Sequence, residues 1–107
     1  MSKRQFELQD IIANNFGLTQ VNTELDTESA YLKELQKKLS ERIEYFIKTD
    51  LDKLLQILYR IDVDQRVTDE AFNLGEVKKI SFVLAEKIIV RQLQKIDYAR
   101  KFYKKKE

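Results

Sequence analysis

Proline is absent from this chain, and glycine occurs at two positions only, Gly17 and Gly75. A backbone with so few breakers has little to stop a helix once it has begun. Long helices joined at few places are therefore expected. The fold class that follows is all-α: a small helical bundle with a long C-terminal helix. At 107 residues the chain makes a single domain, large enough for a modest core. Its 43% of hydrophobic and 36% of charged residues, both signs mixed, belong to a folded helix-rich protein rather than a disordered one.

Four parts are expected within that domain: 1–27, a short helix and a connection; 28–62, two packed helices; 63–75, a bend; and 76–104, the long helix. In "FELQDIIANNFG", Leu8, Ile11, Ile12 and Phe16 share one helical face, and Gly17 supplies a left-handed stop. "LTQVNTELDTES" loses the period and reads as a connection, in part extended. From Glu28 to Lys48, Leu32, Leu35, Leu39, Ile43 and Phe46 make an amphipathic stripe. "TDLD" then offers a capping box with Thr49 as N-cap and Asp52 three residues on. It restarts the helix with Leu51, Leu54, Leu55, Leu58 and Ile61 inward. One kinked helix is the alternative to this break.

The last segment can run unbroken from Glu76 to Lys104, about 43 Å at 1.5 Å per residue. A compact chain of this length is about 34 Å across, so the helix either protrudes or docks on something beyond the body. At 100° per residue it carries two apolar stripes on nearly opposite sides. One holds Phe82, Ala85, Ile89, Leu93, Ile96 and Tyr103. The other holds Val77, Ile80, Leu84 and Ile88, then Arg91 and Lys95, then Tyr98 and Phe102. Two apolar sides ask for two packing partners. The second partner is either the N-terminal helix or another subunit.

Several chemistries are excluded by residue type. Cysteine and histidine are absent, which removes disulfides, thiolate nucleophiles, Cys/His zinc sites and imidazole catalysis. The acidic stretch "DVDQRVTDEAFN" begins like a calcium loop at Asp62 and Asp64. It then places Arg66 at the fifth position, Val67 where glycine makes the turn, and Asn73 where a bidentate glutamate is needed. No glycine-rich phosphate cradle occurs, and Ser2, Ser29, Ser40 and Ser81 have no histidine to activate them. No enzyme activity, cofactor, metal or catalytic residue is assigned. The stretch reads instead as a bend: Asp62 or Asp64, or else Thr68, caps a short helix with Val67, Ala71 and Leu74 inward, and Gly75 permits the reversal. Arg91 and Lys95 interrupt an apolar stripe. Either they are buried and answered by Asp62 and Asp64, or the stripe is exposed there and both side chains snorkel.

Charge is unevenly placed. Residues 91–107 hold seven basic and two acidic residues, while the other 90 hold 13 basic and 16 acidic. In "DYARKFYKKKE", Arg100, Lys101, Lys104, Lys105 and Lys106 alternate with aromatics, a pattern that can neutralise phosphates and stack on bases. Lysines at a helix C-terminus also suit its dipole, which is the plainer use. The N-terminus lacks the apolar stretch of a secretory signal, and no apolar run approaches membrane-spanning length. A cytoplasmic protein is expected.

Two segments, "LLQILYRIDVDQRV" and "LAEKIIVRQLQKIDYARKFY", resemble a group of small bacterial helical proteins with no assigned function. The matching positions are Tyr59 to Val63, then Ala85, Arg91, Gln92, Gln94, Lys95, Arg100 and Tyr103. The resemblance spans about half the chain and implies a small helical bacterial protein, with no activity or ligand. The function expected from all of this is a non-enzymatic protein–protein interaction module. It would form a homodimer or take a protein partner through Val77, Ile80, Leu84, Ile88, Arg91, Lys95, Tyr98 and Phe102. An accessory subunit of a larger complex would expose the same stripe. The alternative is a nucleic-acid- or ribosome-associated binder using the basic tail.

Overall fold

The computed structural model describes residues 2–18 and 27–106, with side chains described as far as Phe102. It contains α1 (Lys3–Phe16), α2 (Glu28–Thr49), α3 (Leu51–Arg60), α4 (Gln65–Phe72) and α5 (Val77–Lys106). All regular structure among the described residues is helical, as the scarcity of breakers implied. The expected connection between α1 and α2 falls largely on 19–26, outside the described residues.

Helices α1 to α4 each start where a side chain accepts from the free backbone N–H groups of the first turn. Ser2 and Gln5 form a reciprocal capping box at α1, and Thr27 accepts from Ala30 N at α2. The break between α2 and α3 is present, but its cap is not Thr49. Asp50 holds that place, its carboxylate accepting from Lys53 N at 3.2 Å. Thr49 is the last residue of α2, and its hydroxyl donates to the Tyr45 carbonyl. Asp50 has the extended φ of −159° that a cap needs, and a carboxylate accepts more strongly than a hydroxyl.

Consecutive helices α1 and α2 run in the same direction. Arg4 pairs with Glu28 near both starts, the Tyr31 hydroxyl donates to Gln9 further along α1, and Arg42 Nε in the second half of α2 donates to the Phe16 carbonyl at the end of α1. Gly17 closes α1 at φ 68° with its N–H on Ala13, as expected of a left-handed stop.

The core is one cluster filled from all five helices: Leu8, Ile12 and Phe16 of α1, Leu35, Leu39 and Ile43 of α2, Leu54, Ile57 and Leu58 of α3, Ala71 of α4, and Ile80 to Ile96 of α5. Helix α5 packs against α2, α1 and α4; α3 packs on α2. The two stripes expected on opposite sides of α5 are in fact one broad face. Ala85, Ile89 and Ile96 from the first and Ile80, Leu84 and Ile88 from the second are all buried, joined through buried Ser81 and Gln92. A polar serine and glutamine in mid-face divided the pattern in sequence, although both are inside. Phe82, expected on the stripe of Ala85 and Ile89, is 52% exposed.

Helix α5 measures about 45 Å at 1.5 Å per residue, matching the 46 Å long axis of a molecule 31 × 21 Å across the other two. Its last core residue is Ile96, so the following turns extend past the core. They are tied back at the surface by paired Arg4 bonds to the Asp97 carboxylate, both 2.9 Å, and by Arg100 to Glu7 at 3.5 Å.

Candidate functional site

The bend after α3 is a Schellman stop. Val63 N–H reaches back to the Leu58 carbonyl at 2.9 Å and Asp62 N–H to Tyr59 at 3.2 Å, with Val63 buried beside Leu58. This motif needs one left-handed residue, and glycine is its usual occupant. Here it is Asp62, at φ 64°, the only non-glycine residue with positive φ among those described. The aspartate gains contacts that glycine has no side chain to make. Lys95 Nζ meets its carboxylate at 2.7 Å while Arg91 Nε donates to its carbonyl at 3.1 Å. The adjacent buried Gln92 donates Nε2 to the Ile61 carbonyl at 2.8 Å. Arg91 and Gln92 of α5 therefore close the open carbonyl end of α3, and Lys95 holds the side chain of the aspartate that ends it. The hydrogen bond from Lys95, and then its charge, hold the Asp62 carboxyl below the usual carboxylate range, with Arg91 adding to the effect.

Both readings of Arg91 and Lys95 were partly apt. They do answer the bend, but Arg91 takes the main-chain oxygen of Asp62, and the Lys95–Asp62 pair stands in solvent. Asp64 is committed elsewhere. It is the N-cap of α4, accepting from Arg66 N at 2.9 Å, and Thr68 is buried instead of capping.

Beside this bend, α3, α4 and α5 enclose an open groove of about 710 Å³. Leu55, Leu58, Val63, Val67 and Val90 give it an apolar floor, and Tyr59 stands on its rim with 86% of its surface exposed. The volume is in the range of sites that bind ligands or anchoring side chains, about 300–1,000 Å³. Sequence reasoning turned Leu51 and Leu55 inward. They are 40% and 39% exposed, because α3 buries the face of Leu54, Ile57, Leu58 and Ile61 instead. Leu51, Leu55 and Tyr59 then form an outward row at i, i+4, i+8. Leu74, expected inside α4, is likewise exposed, and Thr68 takes the inward place.

Ile80, Leu84 and Ile88 of the expected interaction stripe lie in the chain's own core, and Val77 is half-buried. Tyr98 and Phe102 are exposed beyond the core. Of the expected nucleic-acid contacts, Arg100 is drawn onto Glu7 and Lys101 is exposed; the side chains of Tyr103, Lys104, Lys105 and Lys106 lie outside the described residues. Neither Lys87 nor Val90 is marked by any sequence pattern, and Tyr59 is marked only by the resemblance, not as a binding residue. An aromatic completing the row begun by Leu51 and Leu55 was the available signal. Among the described residues no three carboxylates gather as a metal site, and no helix is long and apolar enough to cross a membrane.

The class defined by this architecture is an all-α bundle, of five helices among the described residues, with an open groove over its C-terminal helix. No protein-family model, curated protein or solved structure matches the chain.

Proposed function

We propose that this protein is a non-enzymatic protein–protein interaction module whose binding surface is the groove between α3, α4 and α5. The observation that carries this reading is the exposure of Leu55, Tyr59 and Val90, three large side chains that line a concave apolar groove. Single exposed apolar residues are ordinary, but a contiguous set lining a cleft marks a docking surface. Tyrosine is among the residues that most often dominate such interfaces. The αL aspartate supports the same reading. A backbone position that favours glycine is given to a residue whose side chain and carbonyl fix the groove's wall.

The partner is another protein rather than a second copy, because Ile80, Leu84 and Ile88, which a dimer through α5 would bury, are already enclosed. Nucleic-acid contact through the C-terminal turns has less support, since Arg100 and Asp97 are paired with α1. The test is a photo-crosslinking amino acid placed at Tyr59 in living cells, with the same probe at exposed Glu70 as control. Crosslinks to one protein from position 59 and none from position 70 are expected. Equal, scattered crosslinks from both positions would remove the case for a docking surface.

A further inference from the structure

Resting on that reading, we infer that the groove takes a short amphipathic helical segment of a partner protein bearing carboxylates one turn apart beside an apolar anchor. The argument is a balance of charge inside the groove. Four ionised side chains line it: Asp62, Asp64, Lys87 and Arg91. Both carboxylates are engaged, Asp62 by Lys95 and Asp64 by the first turn of its own helix. Lys87 is not, and Arg91 is engaged only in part. Lys87 has no hydrogen bond or ion pair among the described residues. Arg91 gives only Nε, and gives it to a carbonyl, so its charge meets no carboxylate within bonding distance. The unanswered charge in the groove is therefore positive.

Its geometry states what would answer it. Lys87 and Arg91 are four residues apart on α5, about 6 Å along the axis. A helix laid along α5 meets both when its own carboxylates are spaced by three or four residues. Val90 lines the same groove one turn from Lys87, together with Leu55 and Val67, so an apolar side chain beside those carboxylates can enter the groove. Tyr59, on the rim, covers that anchor and excludes water from it. Docking of an amphipathic helix in this way draws affinity from the anchor and orientation from the paired charges. The ten residues of α3 make a wall about 15 Å long, room for two to three turns of partner helix.

The experiment is an amide NMR titration of the full chain with two 14-residue helical peptides of identical apolar positions. One carries glutamate at the flanking positions and the other carries lysine. The glutamate peptide is expected to move the amides of Tyr59, Val67, Lys87 and Val90, with Kd on the order of 10–100 µM. The lysine peptide is expected to bind at least about tenfold more weakly. Lys87→Glu, at an exposed position without partners, narrows or inverts that preference; the Lys87→Glu/Arg91→Glu pair inverts it fully. Equal affinity for both peptides, or shifts confined to other faces, overturns the inference. So does preferential binding at the groove of a 12-nucleotide single strand, added as a third probe, since phosphates also suit two cations. The crosslink from Tyr59 separates the two readings. A single partner whose crosslinked segment lacks acidic residues leaves the docking surface standing and removes only the charge rule.

Discussion

Individual side chains in α5 show where this sequence departs from what stability alone would select. Ser81 is fully buried, and its hydroxyl has no hydrogen-bond partner. A buried donor left unmet costs more than the hydroxyl returns, and alanine is also the better helix former. Ser81→Ala should raise the unfolding free energy by about 1 kcal/mol. It would be read as a higher urea midpoint with unchanged slope; a lower midpoint would show that the hydroxyl is satisfied. Asp62 gives a second residue-level test. Its pairing with Lys95 lowers the folded-state pKa, so the stabilisation it brings is present above the unfolded value of about 3.9 and is lost as pH falls through the depressed folded value. The Asp62 carboxyl resonance should therefore titrate below the ordinary aspartate midpoint. Lys95→Met should move that midpoint upward, and a midpoint indifferent to Lys95 would mean that the pair does not persist in solution. Tyr31 works at the other end of the scale. Burial, with help from the charge of Asp10, pushes its phenol up to about 12. The unfolded chain would ionise first, so stability should begin to fall above about pH 10, and Tyr31→Phe should remove that alkaline limb.

At the level of the element, α3 carries the clearest contrast, because its leucines are identical in type and opposite in role. Leu54 is 0% exposed and Leu55 is 39% exposed. Leu54→Ala should destabilise by about 2–5 kcal/mol, as emptying a core site does. Leu55→Glu should change stability by less than about 0.5 kcal/mol while weakening whatever docks in the groove. If Leu55→Glu unfolds the protein, the outward row belongs to the core and the groove loses its apolar wall. The same helix shows the limits of periodicity. Apolar residues at 51, 54, 55, 57, 58 and 61 cover too wide an arc for one inward stripe, and spacing alone does not choose which part of the arc faces α2. Helix α5 fails in the complementary way. Buried Ser81 and Gln92 split one face into two apparent stripes, since hydropathy does not count a glutamine whose amide caps the Ile61 carbonyl. What was legible was local: the stop at Gly17, the break near Thr49, a bend at Asp62–Asp64 and the uninterrupted last helix. The groove was not, because it lies where three helices fail to close on one another, and only tertiary packing decides that.

For the molecule as a whole, the decisive matter is whether the monomer is complete. A helix as long as the particle's longest dimension, apolar over half its circumference, looks in sequence like a dimerisation element. Here three other helices of the same chain cover it: α2, α1 and α4 all pack against α5, and the parallel run of α1 with α2 brings the N-terminus onto its far half through Arg4 and Asp97. Of the exposed apolar side chains, Leu55, Tyr59 and Val90 gather at the groove, a patch suited to a segment of partner rather than to a second globular copy. Light scattering on the isolated chain at about 10–100 µM, a range that reveals moderate self-association, should therefore give the single-chain mass of 12.8 kDa. The value should not change with salt, because burial and not surface charge closes the fold. A doubled mass would mean that a second copy occupies the exposed surface, and Leu55→Glu then distinguishes the cases. Return to the single-chain mass would place the dimer in the groove, and persistence of the dimer would place it on α5 beyond Ile96, where Tyr98 and Phe102 are exposed.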